Sequence, residues 1–130
     1  MLPQQSRMRR AEEFRRVLRT GRRAGGSLVA GHLLLANGSH AASSDGAVLS
    51  GDPAKVGFIV SRAVGSAVVR NRVKRRLREL MRRRLASLPG GCLLVLRAHP
   101  AAARARQADL AVDLDLVLEK LLRRQVGALR

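Results

Sequence analysis

Tryptophan and tyrosine are absent from this chain, and Phe14 and Phe58 are its two phenylalanines. That excludes a platform reading single-stranded nucleic acid by stacking bases on several aromatic side chains. Cysteine is reduced to Cys92, which can form no internal disulfide and has no Cys or His at metal-ligand spacing. Within Cys92-Leu93-Leu94-Val95-Leu96 it reads as a buried core thiol. No stretch approaches the ~20 apolar residues of a membrane span. The opening Met1-Leu2-Pro3-Gln4-Gln5-Ser6-Arg7 lacks the apolar core of a signal segment. A cytoplasmic protein without a membrane partner is expected. Acid is scarce too: nine Asp and Glu stand against 26 Lys and Arg, for a net charge of +17.

Such a charge calls for a polyanion, because a compact body with that self-repulsion is best stabilised by one. The few acids sit at helix starts (Glu12, Glu13, Asp109, Asp113), in a loop (Asp45, Asp52), later in the last helix (Asp115, Glu119) or alone at Glu79. They do not form the carboxylate cluster of a metal-dependent nuclease, and no Cys-His pair, nucleophile elbow or phosphate loop appears. The protein alone therefore reads as non-catalytic, and no catalytic residue is assigned.

The cations concentrate where an apolar run turns into a helix, Val60 to Met81. At about 100° per residue, Val69, Val73, Leu77, Leu80 and Met81 share one stripe. Asn71, Arg75, Arg78 and Arg82 point away from it, and Arg70, Arg72, Lys74 and Arg83 fill the flanks. Ser66 is placed to cap the helix after the flexible Gly65. A helix needing only solubility mixes both signs, but this one sets Glu79 alone among cations that repel at i,i+4. An anion is expected against it, and arginine's fork suits phosphate oxygens. Asn71, a poor helix former among arginines, suggests a specific hydrogen bond, although a tolerated surface amide fits the pattern too.

Around this helix the chain reads as a single domain over 1–130. A helix runs from about Met8 to Thr20, with Ala11, Phe14, Val17 and Leu18 as its stripe, and Arg22 to Gly26 is a basic connector. Leu28 to Ala36 and Lys55 to Ser61 read as strands, flanking a Gly-, Ser- and Ala-rich loop of about 37–53 expected to be flexible. His32, inside the first strand, reads as a histidine satisfied by hydrogen bonds. The basic helix continues to about Ser87, until Leu88-Pro89-Gly90-Gly91 stops it; Arg84 falls on its apolar stripe, so that either it snorkels at the helix end or the last turn frays. Cys92 to Arg97 is a third strand. Gln107 to about Val126 is a closing helix with Leu110, Leu114, Val117, Leu118 and Leu121 inward. The fold class is α+β, a small two-layer sandwich of helices on one mixed sheet in the order α-β-β-α-β-α.

The run Val56-Gly57-Phe58-Ile59-Val60-Ser61-Arg62, then Val64-Gly65 and Ala67-Val68-Val69-Arg70-Asn71-Arg72-Val73-Lys74-Arg75-Arg76-Leu77-Arg78-Glu79, resembles the protein component of bacterial ribonuclease P. The opening Leu2-Pro3 and Arg9-Arg10 through Phe14-Arg15-Arg16-Val17-Leu18-Arg19 resembles the same family. The resemblance implies a strand-helix-strand crossover of the rare left-handed kind, with the basic helix as its crossover. It also implies a subunit that binds a catalytic RNA and the 5′ leader of precursor tRNA. In that family the RNA performs magnesium-dependent removal of the leader, so magnesium enters through the RNA subunit. By matching the motif, Arg62, Arg70, Asn71, Arg72, Lys74, Arg75 and Arg78 are the expected RNA contacts. Phe14, Leu18 and Lys55 are assigned to the leader cleft, with Arg9, Arg10 and Arg97 as further cations there. Leu18 stands where many members carry a second aromatic, offering apolar contact in place of stacking, and Ala63 stands where others carry lysine. The stripe alone would equally bury Phe14 and Leu18 in the core. A non-enzymatic ribosomal or RNA-chaperone module is the alternative reading, and no DNA specificity is expected.

Overall fold

The computed structural model describes residues 2–36 and 53–127, with side chains described through residue 123. The loop expected at about 37–53 therefore lies, but for Pro53, outside the described residues. Among the described residues, three helices, α1 (Ala11–Thr20), α2 (Ala67–Arg82) and α3 (Gln107–Gly127), pack on four strands. The strands are β1 (Arg22–Gly25), β2 (Val29–Leu34), β3 (Lys55–Ile59) and β4 (Leu93–Ala98), in the sheet order β1-β2-β4-β3. β1 and β4 run antiparallel to β2, whereas β3 and β4 are parallel and joined through α2. This is the α+β architecture with a mixed sheet that the periodicities imply.

The two central strands explain their unbroken apolar runs, because β2 is buried at every position and β4 at all but Arg97. Their alternation splits the interior. Val29, Leu33, Leu94, Leu96 and Val56 join Val73, Leu77, Leu80 and Met81 of α2 and the five inward residues of α3 in the main core. Leu34, Leu93 and Val95 face the other way, where Val17 of α1, with Phe14 and Leu18 at its margin, covers part of the sheet. Cys92 lies in the main core, and burial pushes its thiol up to about 12, the state of an inert packing residue.

Three local expectations are revised, and of the two alternatives at Arg84 the early end of the helix is the one found. The basic connector from Arg22 is a strand: with Ala24 its one apolar side chain, it has no pattern of its own and takes its form from pairing with β2. Its turn is held from outside, since the Asp113 carboxylate of α3 accepts the amides of Ser27, Leu28 and Val29 at 3.0, 2.9 and 2.9 Å. α1 begins at Ala11, which is exposed, because Met8 is buried and donates its amide to Val56 at the sheet edge, 3.0 Å. α2 ends at Arg82, ahead of a 3-10 turn at Leu85–Ser87. Arg84 leaves the apolar stripe there: its guanidinium donates to Asp115 at 2.5 and 3.1 Å and to the Leu80 carbonyl at 2.8 Å.

Candidate nucleic-acid interface

The basic helix starts from a constrained turn. Ser61 leads into a 3-10 turn at Arg62–Val64, and Gly65 follows at φ 155°, a value that disfavours side chains. The Ser66 hydroxyl accepts the Val69 amide at 3.3 Å, the cap expected of it. Arg70 reaches back to donate Nε to the Gly65 carbonyl at 3.2 Å, so its guanidinium is held over the turn. Helix dipole and arginines thus combine at the α2 N-terminus.

With Val73, Leu77, Leu80 and Met81 facing the core, the motif's remaining side chains separate into two ranks. Asn71, Arg72 and Arg75 are exposed, as is Arg62 before the helix. Lys74 and Arg78, one turn apart, are half-buried and line a cleft of about 380 Å³. Across that cleft stand Phe14 of α1 and Arg7 and Arg9 of the lead-in, and its floor is the edge of β3 at Val56, Gly57 and Phe58. Arg76 faces elsewhere, donating to the Ala105 carbonyl at 3.1 Å, so it ties α2 to the approach to α3.

The residues assigned to the leader cleft are not all together. Phe14 lines it. Leu18 packs at the margin of the smaller core with Val17, Leu34 and Val95. Lys55 lies in the adjoining depressions, where its Nζ stands 3.5 Å from Oε2 of Glu13. Arg9 borders both the cleft and the next depression, Arg10 only the latter. Arg97 is exposed on β4, in register with Ile59. Phe58 and Arg7 were not singled out from the sequence. Phe58 could have been: it is the second of two aromatics and sits in the strand that feeds the motif. Arg7 carries no signal, because only the pairing of Arg7 with Val56 brings the lead-in to the β3 edge.

His32 departs from its expectation. It is 8% exposed, yet its Nδ1 has no hydrogen-bond partner. Burial, then the cationic Arg23 and Arg97, hold its imidazole below the usual histidine range, which favours the neutral ring.

Among the described residues, no three of His, Cys, Asp and Glu come together as a metal site, and no helix is long and apolar enough to cross a membrane. What the cleft offers is cationic donors, the guanidinium forks of Arg7, Arg9 and Arg78 and the ammonium of Lys74, beside the ring of Phe14. That suits phosphates and an unpaired base far better than a small neutral substrate.

A family model described as Ribonuclease P matches residues 2–122. A ribonuclease P protein component of Streptomyces avermitilis is 52% identical over 123 residues, covering 94% of this chain and 96% of that protein. The corresponding protein of Salinispora tropica is 46% identical over 124 residues, covering 91% of each. Among solved structures, a Staphylococcus aureus RNase P protein matches with a TM-score of 0.72 at 19% identity, covering 88% of this chain and 93% of that one. A Thermotoga maritima RNase P protein matches at 0.68 and 21%, covering 90% and 96%.

Proposed function

The chain belongs to the ribonuclease P protein family, and from that premise we propose how its surface serves the holoenzyme. It is the protein subunit of an endoribonuclease that removes the 5′ leader of precursor tRNA, and the RNA subunit carries out the hydrolysis. Its partners are that RNA and the precursor. The exposed rank, Arg62, Asn71, Arg72 and Arg75, together with Arg70, grips the catalytic RNA through phosphates. The inner rank, Lys74 and Arg78, holds the single-stranded leader against Phe14. The observation that supports this division is the meeting of Lys74, Arg78 and Phe14 around one cleft while Asn71, Arg72 and Arg75 of the same helix face outward.

The chemistry fits positioning by the protein. Neutralised phosphates release counterions, and a clamped leader fixes the scissile bond relative to the RNA. The magnesium ions of the reaction belong to the RNA, since the residues around the cleft are mostly cations and form no cage for a divalent ion. By lowering repulsion between two polyanions, the basic helix reduces the magnesium needed for assembly. A cytoplasmic site of action follows from the substrate.

The test is precursor-tRNA cleavage by a bacterial ribonuclease P RNA at low magnesium, with and without this protein. Cleavage at the mature 5′ end that depends on the protein, and falls with Arg72→Ala, is expected. Arg70→Ala should also lose activity, with some loosening of the turn it holds at Gly65. RNA binding without stimulation would move the assignment to a ribosomal or chaperone module.

A further inference from the structure

Three depressions follow one another along α1. The cleft at Lys74, Arg78 and Phe14 shares Arg7 and Arg9 with a second hollow of about 210 Å³. The second shares Glu13 and Lys55 with a third of about 370 Å³, which continues past Arg16 to Gly91 and Leu93. The partition between the second and third is thus the Glu13–Lys55 pair, whose side chains are 21% and 41% exposed. Among the described residues, every other charged side chain lining the three hollows is a cation, so Glu13 is the one described carboxylate on an otherwise basic track.

A carboxylate placed there has two effects. It occupies the ammonium that would otherwise meet the next phosphate, and it repels that phosphate directly. The pair is also loose, at 3.5 Å and partly solvated, so it adds little to holding α1 on β3. We propose that Glu13 is a specificity-determining residue for leader length: paired with Lys55, it ends the phosphate track at the second hollow. This rests on the reading that the leader lies in the cleft. Nucleotides nearest the cleavage site lie along Lys74, Arg78, Phe14, Arg7 and Arg9. A nucleotide reaching the partition meets negative charge and gains nothing unless the carboxylate is displaced. The protein thereby holds a leader segment of fixed length and ignores what lies upstream.

The experiment uses the holoenzyme reconstituted with a bacterial ribonuclease P RNA, and precursor tRNAs whose leaders grow one nucleotide at a time. Binding is compared for the wild type, Glu13→Gln and the double variant Glu13→Gln/Lys55→Ala. In the wild type, affinity should rise with leader length and then level off. In Glu13→Gln, which keeps the shape of the side chain, it should go on rising. The longest leaders should then bind roughly threefold to tenfold tighter than in the wild type. The double variant should restore the plateau, because the freed ammonium is what the extra phosphate meets. Superimposable length profiles for the wild type and Glu13→Gln would overturn the inference, as would an equal gain at every length, the mark of a general charge effect. A wild-type holoenzyme that cleaves normally but is indifferent to leader length would overturn the leader reading, and this inference with it.

Discussion

The ring of Phe14 rests on the backbone of Gly57: a Cβ built at Gly57 would collide with the Cζ and Cε1 atoms of that ring. The glycine of β3 and the aromatic of α1 are therefore one unit, and together they form the apolar end of the cleft opposite Lys74 and Arg78.

Gly57→Ala should accordingly act on Phe14. The ring must tilt away or α1 must lift, at roughly 1–3 kcal/mol of stability for overpacking. Since α2 is untouched, affinity for the isolated catalytic RNA should hold. Affinity for precursor tRNA with a leader should fall by more than affinity for mature tRNA. An equal loss for both would show that the ring is only a core residue. Urea denaturation and the two binding curves check both halves.

Asp113 should be the largest single polar contributor to the fold. Asp113 is 8% exposed, and its carboxylate accepts three consecutive amides at the β1–β2 turn. Asp113→Ala leaves those donors unmatched and should cost about 3 kcal/mol or more, with Asp113→Asn in between. Hydrogen exchange at Ser27, Leu28 and Val29 should accelerate beyond the change in global stability. Unchanged exchange would disprove the clamp.

That clamp marks the boundary of what the sequence carries. The faces of α2 and α3 are legible because 3.6-residue periodicity is a local code, and Val73, Leu77, Leu110, Leu114, Val117 and Leu121 all lie inward. β1 is illegible because Arg22-Arg23-Ala24-Gly25 has no apolar alternation of its own, and takes its form from the neighbouring β2 ladder and from a turn held by a carboxylate more than eighty residues away. The cations of the site were recognisable as a motif, but their division into an outer and an inner rank was not. Lys74 and Arg78 differ from Arg72 and Arg75 only through what α1 and the lead-in place opposite them. Nor could a pattern show that Lys55 faces Glu13, since that meeting depends on how α1 crosses β3.

Arg84 and Asp115 join the end of α2 to α3 by a two-pronged contact, and the solvation of Asp115 limits its worth. Arg84→Ala should cost about 1 kcal/mol at neutral pH. The hydrogen bond from Arg84 holds the Asp115 carboxyl below the ordinary aspartate range. The stability it supplies is therefore present above the unfolded aspartate pKa and is lost as pH falls through the lower folded value. Wild type and Arg84→Ala should differ in urea melts at pH 7 and converge as the pH falls below the ordinary aspartate pKa of about 3.9. A constant difference across that range would assign the effect to the Leu80 carbonyl contact instead.

His32 gives the opposite kind of test, because here removal should help. His32, on β2, has Arg23 of β1 and Val95 of β4 as its cross-strand neighbours, and Ala30, two residues along the strand, pairs with Arg97. The ring thus lies among cations, with Nδ1 unpaired and the imidazolium disfavoured. As pH falls, the unfolded chain takes up a proton near the free histidine value of about 6.5 before the folded chain does. The unfolded state then binds more protons, so stability rises with pH across this window and is lost on acidification through the folded pKa. His32→Leu removes both the titration and the unpaired nitrogen in a site already walled by Val95. It should be at least as stable as the wild type near pH 7.5, where both histidine forms are neutral, since the unpaired buried Nδ1 is gone. Its advantage should then widen by up to about 1.4 kcal/mol for each pH unit below 6.5 until the folded ring protonates. Urea melts of the two proteins at a series of pH values measure that slope. An advantage that narrows on acidification would mean that the folded ring accepts its proton readily, and that Arg23 and Arg97 do not shape its charge.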